Sequence, residues 1–104
     1  MSKTITNGER LSFLLSTLKS LIHTYTFRYV QVCDALGSEG WIKLEELIEV
    51  GTAATTEKEY QRALELNVEF YKSLRRVPSY EASVRKALGR RGSVLLSNLF
   101  DLAL

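Results

Sequence analysis

Apolar residues in the first third of the chain recur every three or four positions, the spacing of one face of an α-helix. This row comprises Leu11, Leu14, Leu15, Leu18, Leu21, Ile22, Tyr25, Tyr29, Val32 and Leu36. Thr6 or Asn7 can cap the start of the helix, and Gly37 can end it in a left-handed conformation. The row predicts one long amphipathic helix. A bend or break near Thr24 is the alternative, because the Thr, Tyr, Phe and Val residues that follow also suit a strand.

The middle of the chain predicts two further helices. Residues 37–40 read as a turn, after which apolar residues spaced by three or four, up to Ile48, form a short helix that Gly51 closes. Thr56 and Glu59 form a capping box at the start of the next helix. Its apolar surface is wide enough to be buried on two sides. Pro78 ends this helix, because proline lacks a backbone NH and restricts the residue before it.

The last quarter of the chain predicts a helix capped by Ser79, a break at residues 89–92 and a final apolar segment. That segment must dock on the core or on another subunit. We see no internal repeat in the sequence. The pattern predicts an all-α fold, a single compact four- or five-helix bundle with a long amphipathic first helix. Residues 1–7 are expected to be a flexible N-terminus, and residues 8–104 one helical domain.

Length and composition narrow the function classes. The chain has 104 residues and a net charge of +2, which fits one globular domain. Polar residues interrupt the first apolar stretch, so it does not read as a signal peptide. The lone Cys33 cannot form an internal disulfide and is expected to be a buried apolar filler. A cytoplasmic protein that does not associate with membranes is therefore expected.

Positive charge is concentrated between residues 72 and 91, where Glu81 is the one carboxylate. The candidate nucleic-acid-binding residues are Lys72, Arg75, Arg76, Arg85, Lys86, Arg90 and Arg91. Such a segment can neutralise phosphates or meet an acidic protein partner. Arginine suits phosphate because its planar guanidinium donates two parallel hydrogen bonds to one anion. Helix end, turn and loop are expected to converge here.

A structural interpretation competes for part of this segment. Lys72, Arg75 and Arg76 lie in the last turn of their helix, where the helix dipole favours positive charge, so helix capping and ligand binding both remain open for them. Arg90 and Arg91 are expected in a glycine-flanked loop, where no dipole explains them, and are the better candidates. Tyr71 and Tyr80 flank the basic residues and either stack on bases or belong to the core.

The sequence offers little support for catalysis. His23 is the one histidine, so any catalytic pair or metal site would depend on this single ring. Glu45 and Glu49 share a helix face, but no Asp-rich loop accompanies them. Gly89, Gly92 and their neighbours do not match a phosphate loop. We therefore expect no enzyme activity, no catalytic residue, no cofactor and no metal.

The segment Ser38, Glu39, Gly40, Trp41, Ile42, Leu44, Leu47 and Ile48 resembles the Gly-Trp turn into a helix of winged-helix domains, including the amino-terminal lobe of RNA 2'-phosphotransferases. The resemblance implies a helical module that faces RNA or DNA. The Arg-His pair of that family is absent here, because Thr17, Leu18 and Lys19 occupy the corresponding stretch. Transferase activity is therefore not implied.

Two functions follow as hypotheses. The first is a small nucleic-acid-binding or ribonucleoprotein-associated protein that contacts phosphates of DNA or RNA through its basic segment, without sequence preference. The alternative is a protein-binding adaptor or inhibitor, for example a mobile-element or phage product, that acts through the long first helix or the apolar C-terminus. The apolar content favours a homodimer in either case.

Overall fold

The computed structural model describes residues 6–24, 26–76 and 78–104. The described residues form helices and contain no strand, with α1 at Asn7–Thr24, α2 at Thr26–Ala53, α3 at Glu57–Arg75 and α4 at Pro78–Asp101. The all-α prediction is confirmed. Of the residues predicted from sequence, 1–5 of the N-terminus and Tyr25 of the apolar row lie outside the described part.

Side-chain caps define where two of the helices begin. The hydroxyl of Thr6 accepts a hydrogen bond from the backbone NH of Glu9 at 3.2 Å, so α1 begins at Asn7. The hydroxyl of Thr56 accepts from the NH of Glu59 at 3.2 Å and donates to its carboxylate at 2.9 Å. The predicted capping box is therefore present, and it satisfies backbone donors that the first helical turn leaves free.

Single glycines kink α2 and α4. Gly37 has φ 72° and ψ 172°, and Gly89 has φ 79° and ψ −177°. These angles lie in a region that is essentially restricted to glycine. The helix resumes immediately after each of them. We call residues 32–40 the first elbow and residues 84–92 the second elbow.

The helix bounds differ from several boundaries predicted from sequence. The apolar row predicted as one long helix is shared between α1, which ends at Thr24, and α2, which begins at Thr26, and the bend or break proposed near Thr24 falls at Tyr25, outside the described part. The predicted turn at residues 37–40 reduces to Gly37, and α2 runs through Gly51 to Ala53. The predicted loop at residues 89–92 is wrong, because only Gly89 leaves helical geometry there. A single left-handed residue is sufficient to redirect the chain.

The two halves of the chain repeat one another at a shift of 52 residues, contrary to the expectation from sequence. Each half is a helix followed by a second helix that a glycine kinks. The first elbow reads VCDALGSEG and the second VRKALGRRG, with five of nine positions identical. Leu36 and Leu88 are both buried before the kink, and Gly40 and Gly92 are both buried after it. The shared residues are those that the elbow geometry requires.

Contacts between the halves follow the same shift. Two pairs that lie close across the halves have counterparts 52 positions away that also lie close. Arg10 and Asn98 line one groove, and their counterparts Arg62 and Glu46 form an ion pair. Leu21 lies against Gly92, and their counterparts Ser73 and Gly40 line one groove. These two examples fit a pseudo-twofold arrangement of the halves.

The core lies between the four helices and is almost entirely apolar. Asn67 on α3 is the exception among the described residues, fully buried at the position where the first half has Leu15. Its amide nitrogen donates to the carbonyl of Leu99 at 2.7 Å, near the end of α4. Its amide oxygen has no hydrogen-bond partner. Asn67 therefore secures the last turn of α4 at the cost of one unsatisfied buried acceptor.

Candidate functional site

The predicted basic residues lie on the end of α3 and on both sides of the kink in α4. Lys72, Arg75 and Arg76 are exposed at the C-terminal end of α3. Arg85 and Lys86 precede Gly89, and Arg90 and Arg91 follow it within α4. The described structure divides these side chains into four environments.

Arg85 is committed to internal contacts. Its Nη1 donates to the carbonyl of Ser93 at 2.9 Å, to the Ser93 hydroxyl at 2.8 Å and to the Ser97 hydroxyl at 2.9 Å. Its guanidinium carbon lies 5.7 Å from the centre of the Phe100 ring. Arg85 therefore joins the part of α4 before Gly89 to the part after it and fixes the angle between them.

Arg75 belongs to a small charge cluster around Glu81. Its Nε lies 3.6 Å from Glu81 Oε1, and Nη2 of Arg85 lies 3.8 Å from the same oxygen. Both distances are too long for hydrogen bonds, so the attraction is electrostatic. Arg75 also lies over the Tyr71 ring, 5.3 Å from its centre. It remains well exposed, but Glu81 offsets part of its charge.

Lys72 and Arg76 face a mixed surface. They line a shallow groove of about 290 Å³ together with Lys43 and two carboxylates, Glu39 and Glu69. Neither basic side chain lies within 4.0 Å of a carboxylate oxygen in the described part of the chain. The nearby acidic groups make this end of α3 less attractive to a polyanion than its own charge suggests.

Lys86, Arg90 and Arg91 form the uncompensated part of the segment. All three are exposed, and none has an ion-pair partner among the described residues. Arg90 and Arg91 also lie in the first turn after the Gly89 kink, where the dipole of the helical stretch that begins there disfavours positive charge. The stability of that stretch therefore does not explain them.

The first elbow provides an internal comparison. Its residues Ser38 and Glu39 correspond to Arg90 and Arg91, and Ser and Glu are types that a helix start favours. The first elbow contains two acidic and no basic residues, while the second contains four basic and no acidic residues. The same backbone feature therefore carries opposite charge in the two halves.

The two tyrosines near the basic segment are engaged internally. Tyr71 is half-buried and meets the Phe100 ring edge-on, with ring centres 4.8 Å apart. The half-buried Tyr80 donates its hydroxyl to the carbonyl of Leu36, which joins α4 to the first elbow. Burial raises the pKa of Tyr80, with a smaller contribution from Glu39. These contacts match the core interpretation of both residues.

The histidine and the cysteine, the other candidate reactive groups, lie outside the second elbow. His23 is exposed, with its ring centre 5.3 Å from that of Tyr29. Cys33 is half-buried rather than buried, and desolvation raises the pKa of its thiol. Across residues 6–24, 26–76 and 78–104, no three His, Cys, Asp or Glu side chains are grouped as metal ligands.

A second surface feature is a groove between α1 and the end of α4, which sequence reasoning did not locate. It has a volume of about 440 Å³ and is lined by Glu9, Arg10, Phe13, Leu14, Asn98, Asp101 and Leu102. Phe13 is 73% exposed. In the second half its counterpart is Glu65, whose carboxylate pairs with Arg62 at 3.5 Å. An apolar ring therefore replaces an ion-paired carboxylate at one of two equivalent surface positions.

Comparison with known protein families, curated proteins and solved structures finds no match for this chain. Gly40 and Trp41, which carry the winged-helix resemblance, lie inside α2, and no strand follows them in the described part of the chain. Trp41 packs edge-on against Tyr29, with ring centres 5.0 Å apart. No helix of the described residues is long and apolar enough to span a bilayer.

Proposed function

We propose that this chain is a small, non-enzymatic nucleic-acid-binding or ribonucleoprotein-associated protein that contacts phosphates through its second elbow. The observation that carries the proposal is the exposed and unpaired state of Lys86, Arg90 and Arg91 around the Gly89 kink. Two adjacent arginines held at a helix start, where they do not help the helix, fit a ligand-binding role better than a structural one.

The other basic residues take supporting roles in this proposal. Arg85 holds the elbow in shape through its contacts with Ser93 and Ser97. Lys72, Arg75 and Arg76 extend the positive field, which their acidic neighbours weaken. Contacts of this kind read the phosphate backbone and not the bases, so binding is expected without sequence preference. A cytoplasmic location belongs to the same proposal, since a lone Cys suits a reducing compartment.

The test is fluorescence anisotropy with labelled single- and double-stranded DNA and RNA at low and near-physiological salt. The variant is the double substitution Arg90→Ala, Arg91→Ala, and the matched control is Lys58→Ala, Arg62→Ala. The control removes the same charge from the exposed start of α3.

Wild type should bind with an affinity that falls steeply as salt rises. Loss of two phosphate contacts should lower the slope of log K against log salt by about 2. The control should stay close to wild type. Binding that is indifferent to salt, or equally weakened by both double variants, contradicts the proposal.

A protein-binding adaptor or inhibitor is the second candidate. The groove between α1 and α4 favours it, because Phe13 presents an apolar ring to solvent beside the half-buried Leu14 and Leu102. Isolated exposed apolar residues are ordinary, but one beside an apolar recess suits a contact with another chain. Absence of nucleic-acid binding even at low salt would make this the preferred function.

A further inference from the structure

The groove between α1 and α4 combines an exposed aromatic ring with an apolar recess that could receive such a ring. Phe13 projects into solvent as a knob, and the half-buried Leu14 and Leu102 form an apolar recess beside it. A twofold interface uses the same patch on both copies, so the patch must contain a knob and a hole together. The groove meets this requirement, because Phe13 is the knob and Leu14 and Leu102 form the hole.

The charges around the groove are also self-complementary. Arg10 lines it from α1, while Glu9 and Asp101 line it from α1 and α4, and all three are exposed. Among the described residues none of the three has an ion-pair partner within its own chain. At the related surface of the second half, Arg62 pairs with Glu46 at 3.9 Å and with Glu65 at 3.5 Å. One half satisfies its charges internally, and the other leaves them available.

We infer that this groove is the contact surface of a twofold dimer of this chain. Phe13 of each copy enters the groove of the other, and Arg10 faces Asp101 across the interface. The inference rests on the groove alone and does not depend on nucleic-acid binding, because Lys86, Arg90 and Arg91 do not line this groove.

The first experiment is sedimentation velocity from low micromolar to near-millimolar concentration. Wild type should shift from monomer to dimer as concentration rises. Phe13→Glu, which installs the residue type found at position 65, should raise the dimer Kd on the order of a hundredfold, since two aromatic rings lose their burial. Ile42→Glu is the matched control, because Ile42 is 64% exposed and lies outside the groove. It should leave the Kd unchanged.

The second experiment tests the geometry with charge reversal in trans. Arg10→Glu and Asp101→Arg should each weaken self-association by roughly tenfold at low salt, because like charges then face each other twice. An equimolar mixture of the two variants should recover it, because every facing pair in the mixed dimer is again opposite in sign. Circular dichroism on each variant establishes that the helices are retained.

A wild type that remains monomeric at every concentration overturns the inference. Equal dissociation by Phe13→Glu and Ile42→Glu also overturns it, because the contact would then not be the groove. Failure of the two charge variants to associate when mixed refutes the pairing of Arg10 with Asp101 and with it the proposed twofold arrangement.

Discussion

Replacing Arg90 with Ser and Arg91 with Glu gives the second elbow the residues of the first at these two positions. In the second elbow both arginines occupy the first turn after Gly89, exposed and unpaired. Removing an unfavourable positive charge from a helix start is worth about 0.3–1 kcal/mol, and adding a glutamate there contributes a similar amount. We therefore expect the double variant to be more stable than wild type by about 1–2 kcal/mol.

The same substitution should abolish binding to nucleic acid. It changes the charge of the second elbow by three units, from +4 to +1, counting Arg85, Lys86, Arg90 and Arg91. The assay measures the free energy of unfolding by urea titration and affinity by anisotropy on the same protein. Gain of stability together with loss of affinity identifies residues kept for binding at the expense of stability.

Two results would refute this reasoning. A variant less stable than wild type would mean that the arginines support the fold through contacts of their own. A variant that is more stable but binds as well as wild type would move the phosphate contacts to another surface. Ser38→Ala, Glu39→Ala at the first elbow is the matched control, and it should lower stability slightly and leave binding intact.

Three further predictions concern the fold. Gly37→Ala should lower the free energy of unfolding, measured by urea titration, by about 1–3 kcal/mol. The φ of Gly37 is +72° and no atom lies near the added methyl group, so backbone strain is the one cause. If the helix were continuous at Gly37, the substitution would instead raise stability by about 1 kcal/mol. Asn67→Ala should lower stability by about 1–3 kcal/mol in the same assay, since the Leu99 carbonyl loses its buried donor; an unchanged value would contradict that contact. Thr56→Ala should cost about 0.5–2 kcal/mol at pH 7. Hydrogen bonds from Thr56 hold the pKa of Glu59 below its ordinary value. The part of the cap that depends on the Glu59 carboxylate is therefore present above that value and is lost as the pH falls through the folded pKa, which a pH series of unfolding curves would detect.

Much of the fold was predictable from local signals. Apolar spacing located the helices, and the Thr56–Glu59 capping box and Pro78 marked boundaries that the structure retains. The connections between helical stretches were harder to predict, because a glycine that ends a helix and a glycine that only redirects it look alike in sequence. Gly37 and Gly89 are of the second kind. What distinguishes them is tertiary: the buried Gly40 and Gly92 each lie one turn later and allow close approach.

The candidate sites were predictable to different degrees. Charge counting found the basic segment, and the sequence already favoured Arg90 and Arg91, but it also placed Arg85 among the contact residues, and only side-chain contacts separate an internally bonded guanidinium from an exposed one. The groove was not predictable, because Phe13 and Leu102 are distant in sequence and meet through the packing of α1 on α4. The repeat of 52 residues was available in the sequence and would have marked the charge difference between the elbows and the replacement of Glu65 by Phe13, but not the groove beside Phe13.

The repeat also indicates which residues the fold does not require. Leu36 and Leu88 agree because both bury the side chain before a kink, so their identity reflects structure. At exposed positions the same backbone tolerates either half's residue, and a difference there needs another reason. Two such differences are the charge of the two elbows and the apolar ring at Phe13. These two surfaces are therefore the ones on which the two proposals rest, phosphate binding at the second elbow and contact with a second copy of the chain at the groove.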